Sequence, residues 1–132
     1  MAVKRHEHLF SVAYDAGLHL HRELGPGLLE SVYETLLASR LSKSGYQVER
    51  QKPVSITVDG ITFPEAYRLD ILVEDQLVIE LKSVEKMSGL HIRQAVTYVR
   101  LLQQPLGILM NFGNETFSEG TRRIMNNHFL TG

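Results

Sequence analysis

Apolar and polar residues recur along this chain with two different periods, and the change from one to the other marks out its elements. From about Glu7 to Leu24, the residues Leu9, Val12, Ala13, Ala16 and Leu20 return every three or four positions, as on an amphipathic helix. Gly25-Pro26-Gly27 ends it, because proline cannot continue a helix and glycine accepts the turn that follows. The helical period resumes from about Leu28 to Ser44. Its apolar arc is Leu29, Val32, Tyr33, Leu36, Leu37 and Leu41, and Gly45 is its stop. The period then drops to two. Tyr46 to Gln51 predicts a first strand, which Pro53 breaks. Val54, Ile56 and Val58 predict a second, and Asp59-Gly60 predicts a tight hairpin turn before Ile61 and Phe63.

Arg68 to Lys82 reads as two apolar strands joined at Glu74-Asp75-Gln76. Simple alternation puts Arg68, Asp70 and Leu72 on one side of the first strand, and Val78, Glu80 and Lys82 on one side of the second. Ser83 to Gly89 predicts a loop. A third helix is expected from about Leu90 to Gln103, with Ile92, Ala95, Val99 and Leu102 inward. The unbroken apolar run Leu106 to Phe112 suits a strand covered on both faces. Gly113 to Gly120 is loop-like, and Thr121 to Phe129 suits a short strand or a frayed helix. The predicted order, α-α-β-β-β-β-α-β, is that of an α/β (α+β) sandwich with a mixed sheet. The third helix would be a crossover between parallel strands.

Composition narrows the function classes. With 132 residues, 43% hydrophobic and 22% charged, the chain is expected to form one domain, residues 1–132, around one core. Fourteen basic residues stand against 15 acidic ones, so any basic surface for nucleic acid must be local. The absence of cysteine excludes disulfides, zinc–thiolate sites and thiol catalysis. No apolar run reaches the length of a membrane span and no signal-peptide core is present, so a cytoplasmic protein without membrane partners is expected. There is no phosphate-binding glycine loop, nucleophile elbow or metalloprotease helix motif, and Gly25-Pro26-Gly27 lacks the lysine that such a loop needs.

The chemistry concentrates at Asp70 and Glu80-x-Lys82. Carboxylates on neighbouring strands can converge on one hard divalent cation, and the lysine can orient water or stabilise charge on a phosphate. The alternative is a buried ion pair in which Lys82 balances one of the two acids. Glu30 falls at the edge of the apolar arc of the second helix. It suits either a third acid at the same site or an acid favouring the helix dipole. Tyr33, in the centre of that arc, suits core, with its hydroxyl at the site edge. His91, Gln94 and Tyr98 form a polar flank on the third helix that faces either a cleft or solvent. Arg93 and Arg100 lie opposite the core face, and Lys86, Arg122 and Arg123 are further local basic residues. His19 and His21, two apart on a helix, make a poor metal pair, His6 and His8 lie near a terminus, and all four are read as structurally or trivially placed.

Asp70 followed by Glu80-x-Lys82 on the next strand resembles the core of the PD-(D/E)XK nucleases. Gly27-Leu28-Leu29-Glu30-Ser31-Val32-Tyr33 resembles the signature of the GxxExxY family within that superfamily. The likeness runs from about residue 8 to residue 125. It takes in His21 to Gly27, Tyr67 to Asp70, Val78 to Lys82, His91-x-x-Gln94-x-x-x-Tyr98 and Leu109 to Gly113. The proline of the superfamily name is replaced by Leu69. The resemblance implies a restriction-endonuclease-like mixed sheet flanked by helices. It also implies a magnesium ion (manganese being the alternative) held by Asp70, Glu80 and the Leu81 carbonyl, with Glu30 completing the site. Lys82 would be the catalytic lysine and Gln94 would hydrogen-bond the metal site or the substrate. Tyr98, Tyr33 and His91 would lie on the substrate side. The implied activity is metal-dependent hydrolysis of nucleic acid, DNA first. The near-neutral charge leaves a second reading open: a catalytically silent module that binds nucleic acid or a protein partner. A homo-oligomer or a further subunit supplying specificity is compatible with either.

Overall fold

The computed structural model describes residues 2–127. Two long helices come first, α1 (Ala2–Leu24) and α2 (Glu30–Lys43), then the strands β1 (Val48–Val58), β2 (Ile61–Val73) and β3 (Leu77–Lys82). The chain continues through α3 (Gly89–Leu101), β4 (Leu106–Asn111), a short α4 (Phe117–Gly120) and β5 (Thr121–Met125). The strands form one mixed sheet in the order β1-β2-β3-β4-β5. Among the described strands only β3 and β4 run parallel, and α3 is the crossover between them. This is the α+β architecture of a restriction-endonuclease-like fold.

The apolar run expected to be covered twice is β4, buried at every residue. On one face, Leu9, Ala13 and Leu20 of α1 and Leu37 and Leu41 of α2 pack on Ile71, Ile79, Leu81, Ile108 and Met110. On the other, Ala95 and Val99 of α3 meet Leu69, Leu72, Val78 and Leu109. No helix among the described residues is long and apolar enough to cross a membrane.

Three expectations are corrected, and the open choice for the segment after Gly120 is decided. Pro53 does not break the first strand: β1 runs through it, pairing Pro53 with Arg68. Because β1 is an edge strand, the missing N–H of proline can face away from the ladder. The element order therefore has three strands before α3 and gains the small helix α4, seated by the buried ring of Phe117. The segment after Gly120 is a strand, β5, as far as Met125; residues 128 and 129 lie outside the described part. The buried face of α2 is also rotated from the one expected. Leu29, Val32 and Leu36 are exposed, whereas Tyr33, Glu34, Leu37, Ala38 and Leu41 are buried. Glu34 can turn inward because Arg50 and Gln51 of β1 hydrogen-bond its carboxylate.

The Gly25-Pro26-Gly27 connection is shaped by backbone and one side chain. Gly25 and Gly27 take φ of +70° and +111°, open to glycine at little cost. The fully buried Tyr33 ring stacks on Phe112, 4.3 Å between centroids. Its hydroxyl donates to the Gly25 carbonyl at 2.5 Å and accepts from the Leu28 N–H at 3.2 Å. Tyr33→Phe is expected to cost about 1 kcal/mol while leaving the core intact. Urea denaturation, with proteolysis of the Gly25–Leu28 connection as a local probe, checks this.

Candidate active site

The β2–β3 ladder stops early. Val73, Leu72 and Ile71 pair with Leu77, Val78 and Ile79, but the next pair in register, Asp70 with Glu80, is missing. There the two side chains take over. The Asp70 N–H donates to Glu80 Oε1 at 3.2 Å, and the Leu81 N–H donates to Asp70 Oδ2 at 2.8 Å. The strands splay at this point, and two carboxylates stand in the gap where backbone partners would have been.

The distortion reaches into β2. Leu69 and Leu72 belong to the cluster beneath α3, while Ile71 and Val73 belong to the cluster beneath α1 and α2. A spacing of three on one face means that alternation is interrupted at Asp70. The expectation that Arg68, Asp70 and Leu72 share one side of a regular strand is corrected accordingly. β3 stays regular, because its other edge is tied to β4 as far as Lys82 and Asn111. Phe112 N–H donates to the Lys82 carbonyl, so Leu81 turns its N–H and carbonyl to the opposite edge, toward Asp70.

Glu80 is 6% exposed, and its carboxyl is held well above the usual range, first by burial and then by the negative charge of Asp70. Lys82 lowers it, but only from a distance. Lys82 forms no ion pair with either acid within 4.0 Å among the described residues. The closed ion pair considered from the sequence is therefore not what the fold builds.

Glu30 opens α2 and is exposed. At about 100° per residue it lies in the middle of the inward arc defined by Tyr33, Glu34, Leu37 and Leu41, one turn beyond the core. Its carboxyl is raised by partial burial, lowered by Lys82 and raised again by Asp70, so it shares the electrostatics of the gap. It does not join Asp70 and Glu80 in a tight cluster: no group of three or more histidine, aspartate or glutamate side chains stands at metal-binding spacing among the described residues.

Tyr98 and Gln94 lie on α3, along a groove of about 340 Å³ shared with Tyr67, Arg93, Leu90 and Leu101. The Tyr98 and Tyr67 rings stack at 4.5 Å and 5°. Burial and then Tyr98 and Glu80 push the Tyr67 phenol up to about 12. Burial and then Glu80 and Asp70 raise Tyr98. Both phenols are thus protonated at neutral pH, and both feel the charge of the acid pair. The polar flank of α3 is divided. His91 completes a capping box with Ser88, accepting from its N–H through Nδ1 and donating its own N–H to Ser88 Oγ. Tyr33 is enclosed in the core. The geometry gives these two residues structural work.

Gln51 and Glu34 were not singled out by sequence reasoning, and Tyr67 entered only as the start of the matched segment Tyr67 to Asp70. A carboxylate four residues after Glu30, on the same face, was a usable signal for Glu34. Nothing local announces Gln51.

The donor set suits a hard divalent cation. It offers two carboxylates and a main-chain carbonyl, no sulfur, and among the described residues no cationic side chain forms an ion pair with either acid. A model of the PD-(D/E)XK nuclease superfamily matches residues 7–124, and the chain belongs to that superfamily. Its nucleases generally use divalent metal ions, and membership implies dealings with nucleic acid. No curated protein and no solved structure matches the chain significantly.

Proposed function

We propose that the chain is a single-domain, magnesium-dependent nuclease of the GxxExxY type, hydrolysing phosphodiester bonds of nucleic acid, with DNA as the first substrate to try. The observation that carries this reading is the Asp70–Glu80 pair, set in the gap of a splayed sheet with no ion pair to either acid among the described residues. The GxxExxY assignment rests on Gly27, Glu30 and Tyr33. Gly27 has the positive φ that the turn needs, Tyr33 fastens that turn, and Glu30 beside it feels the charges of Lys82 and Asp70.

Asp70, Glu80 and the Leu81 carbonyl would hold Mg2+, or Mn2+ in its place, with Glu30 nearby. When bound, the ion supplies charge neutralisation at the scissile phosphate and a more acidic water. Lys82, free of an ion pair, would orient the attacking water or receive charge developing on the phosphate. The protonated hydroxyl of Tyr98, with Gln94 and Arg93 beside it, would donate hydrogen bonds to the strand lying in the groove.

Purified protein is expected to cleave single- or double-stranded DNA or RNA when Mg2+ or Mn2+ is added. Asp70→Ala and Lys82→Ala should each lower the rate about a hundredfold or more. Failure of wild type to cut any of these polymers with either metal would sink the proposal. The near-neutral balance of 14 basic and 15 acidic residues favours one competing reading, a catalytically silent module that binds nucleic acid or a protein partner. Calorimetric titration with the two metals separates them: binding abolished by Asp70→Ala belongs to the nuclease, and no binding at all to the silent module.

A further inference from the structure

Directly across from Asp70, on β1, the backbone leaves the strand conformation. Gln51 takes φ of +50°, a left-handed value that side chains adopt only when their surroundings compensate for it. The β1–β2 pairing skips it: Arg50 pairs with Ile71 and Lys52 with Leu69, while Gln51 and Asp70 are left out between them. The Gln51 amide nitrogen donates to Glu34 Oε1 at 2.7 Å and reaches Asp70 Oδ1 at 3.4 Å. Glu34 is fixed from its other oxygen by Arg50, through Nε at 3.2 Å and Nη2 at 3.0 Å. A chain of contacts therefore runs from Arg50 through Glu34 and Gln51 to the carboxylate at the splay.

We propose that Gln51 is a positioning residue for Asp70, and that its local backbone distortion serves this contact. The proposal rests on reading Asp70 as a ligand of the metal. The side-chain type fits the task. An amide NH2 offers two hydrogens, one for each of two carboxylates, and it restrains Asp70 without cancelling its charge. A lysine here would pair with Asp70 and compete with the cation, whereas a glutamate would add a third negative charge. With Leu81 N–H on Oδ2 and Gln51 on Oδ1, both Asp70 oxygens are restrained. Outer contacts of this kind orient a ligand carboxylate before a metal arrives.

The test uses the intact protein and two readouts, neither of them activity. One is hydrogen exchange at the Leu81 amide, which reports whether Asp70 stays in place. The other is calorimetric titration with Mn2+. Gln51→Gly keeps the left-handed backbone and deletes the amide, and Gln51→Asn tolerates the same backbone but is one methylene too short. Both are expected to speed Leu81 exchange and weaken Mn2+ binding about tenfold, with the amide of core residue Leu109 unchanged. Gln51→Lys should keep the Leu81 amide protected and still lose Mn2+ binding. Leu81 exchange unchanged in both Gln51→Gly and Gln51→Asn would overturn the proposal, whatever the metal does. Wild type that binds no Mn2+ would remove the metal reading, and Leu81 exchange would still decide whether Gln51 holds Asp70.

Discussion

Glu80→Gln is expected to give a protein that is more stable than wild type at neutral pH without metal, and that no longer responds to Mg2+. The Glu80 carboxyl is buried beside Asp70, and its native pKa lies well above that of an unfolded glutamate. The native state therefore keeps its proton to a higher pH than the unfolded chain does. Between the unfolded value, about 4.3, and the raised native value, unfolding releases a proton. Wild-type stability should fall as pH rises through that window and level off above it. Glutamine cannot ionise, so this slope should vanish. Its carbonyl can still accept from the Asp70 N–H, and its amide can donate to the Asp70 carboxylate.

Added Mg2+ should act in the opposite sense on wild type. It favours the ionised pair and stabilises the native state by about 2.7 kcal/mol at one hundred times its Kd. In the variant that gain should be absent. Calorimetric melting from pH 5 to 9, with and without Mg2+, measures all of this. A variant that melts below wild type at neutral pH, or that keeps the pH slope, would show that Glu80 is a stabilising structural acid instead.

Gly113→Ala should be among the most damaging single substitutions, costing about 3 kcal/mol, the upper end for overpacking. A Cβ at Gly113 would stand 2.0 Å from the Val84 carbonyl oxygen and 2.6 Å from its carbon, so main chain, and no flexible side chain, would have to move. That main chain is held in place. The buried Asn111 side chain accepts from the N–H groups of Val84 and Gly113, and donates to the Val84 carbonyl and to Asn114 Oδ1. Val84 follows Lys82 by two residues, so the strain would spread into the end of β3 and the gap beside Asp70. Urea unfolding should show a lowered midpoint with an unchanged slope. A midpoint close to wild type would mean that the Val84 loop gives way easily.

The segment Leu109 to Gly113 illustrates how a motif can be visible before its meaning is. In the sequence it reads as a buried strand ending in a polar residue and a glycine. In the fold Asn111 closes a loop, Phe112 receives the Tyr33 ring, and Gly113 admits the Val84 backbone. Helix α2 shows the reverse case. Its helical period was plain, yet the inward face could not be read from hydrophobicity, because Leu29, Val32 and Leu36 are exposed while Glu34 is buried with Arg50 and Gln51. A wheel ranks side chains by their own polarity and cannot see a partner sixteen or seventeen residues away. Pro53 misled for a related reason: proline excludes a central strand, and only the sheet order reveals that β1 is an edge.

Local pattern by itself determined the three long helices, the Asp59-Gly60 hairpin, the twice-covered β4 and its crossover, and the order of Asp70, Glu80 and Lys82. These follow from periodicity, turn chemistry and chain order, which neighbours along the sequence impose. The tertiary structure alone decided that the β2–β3 ladder ends at the two acids, that Lys82 stands apart from them, and that Gln51 leaves its strand to reach Asp70. Those outcomes depend on which backbone groups lose their partners when strands diverge, and on which distant side chains arrive to replace them.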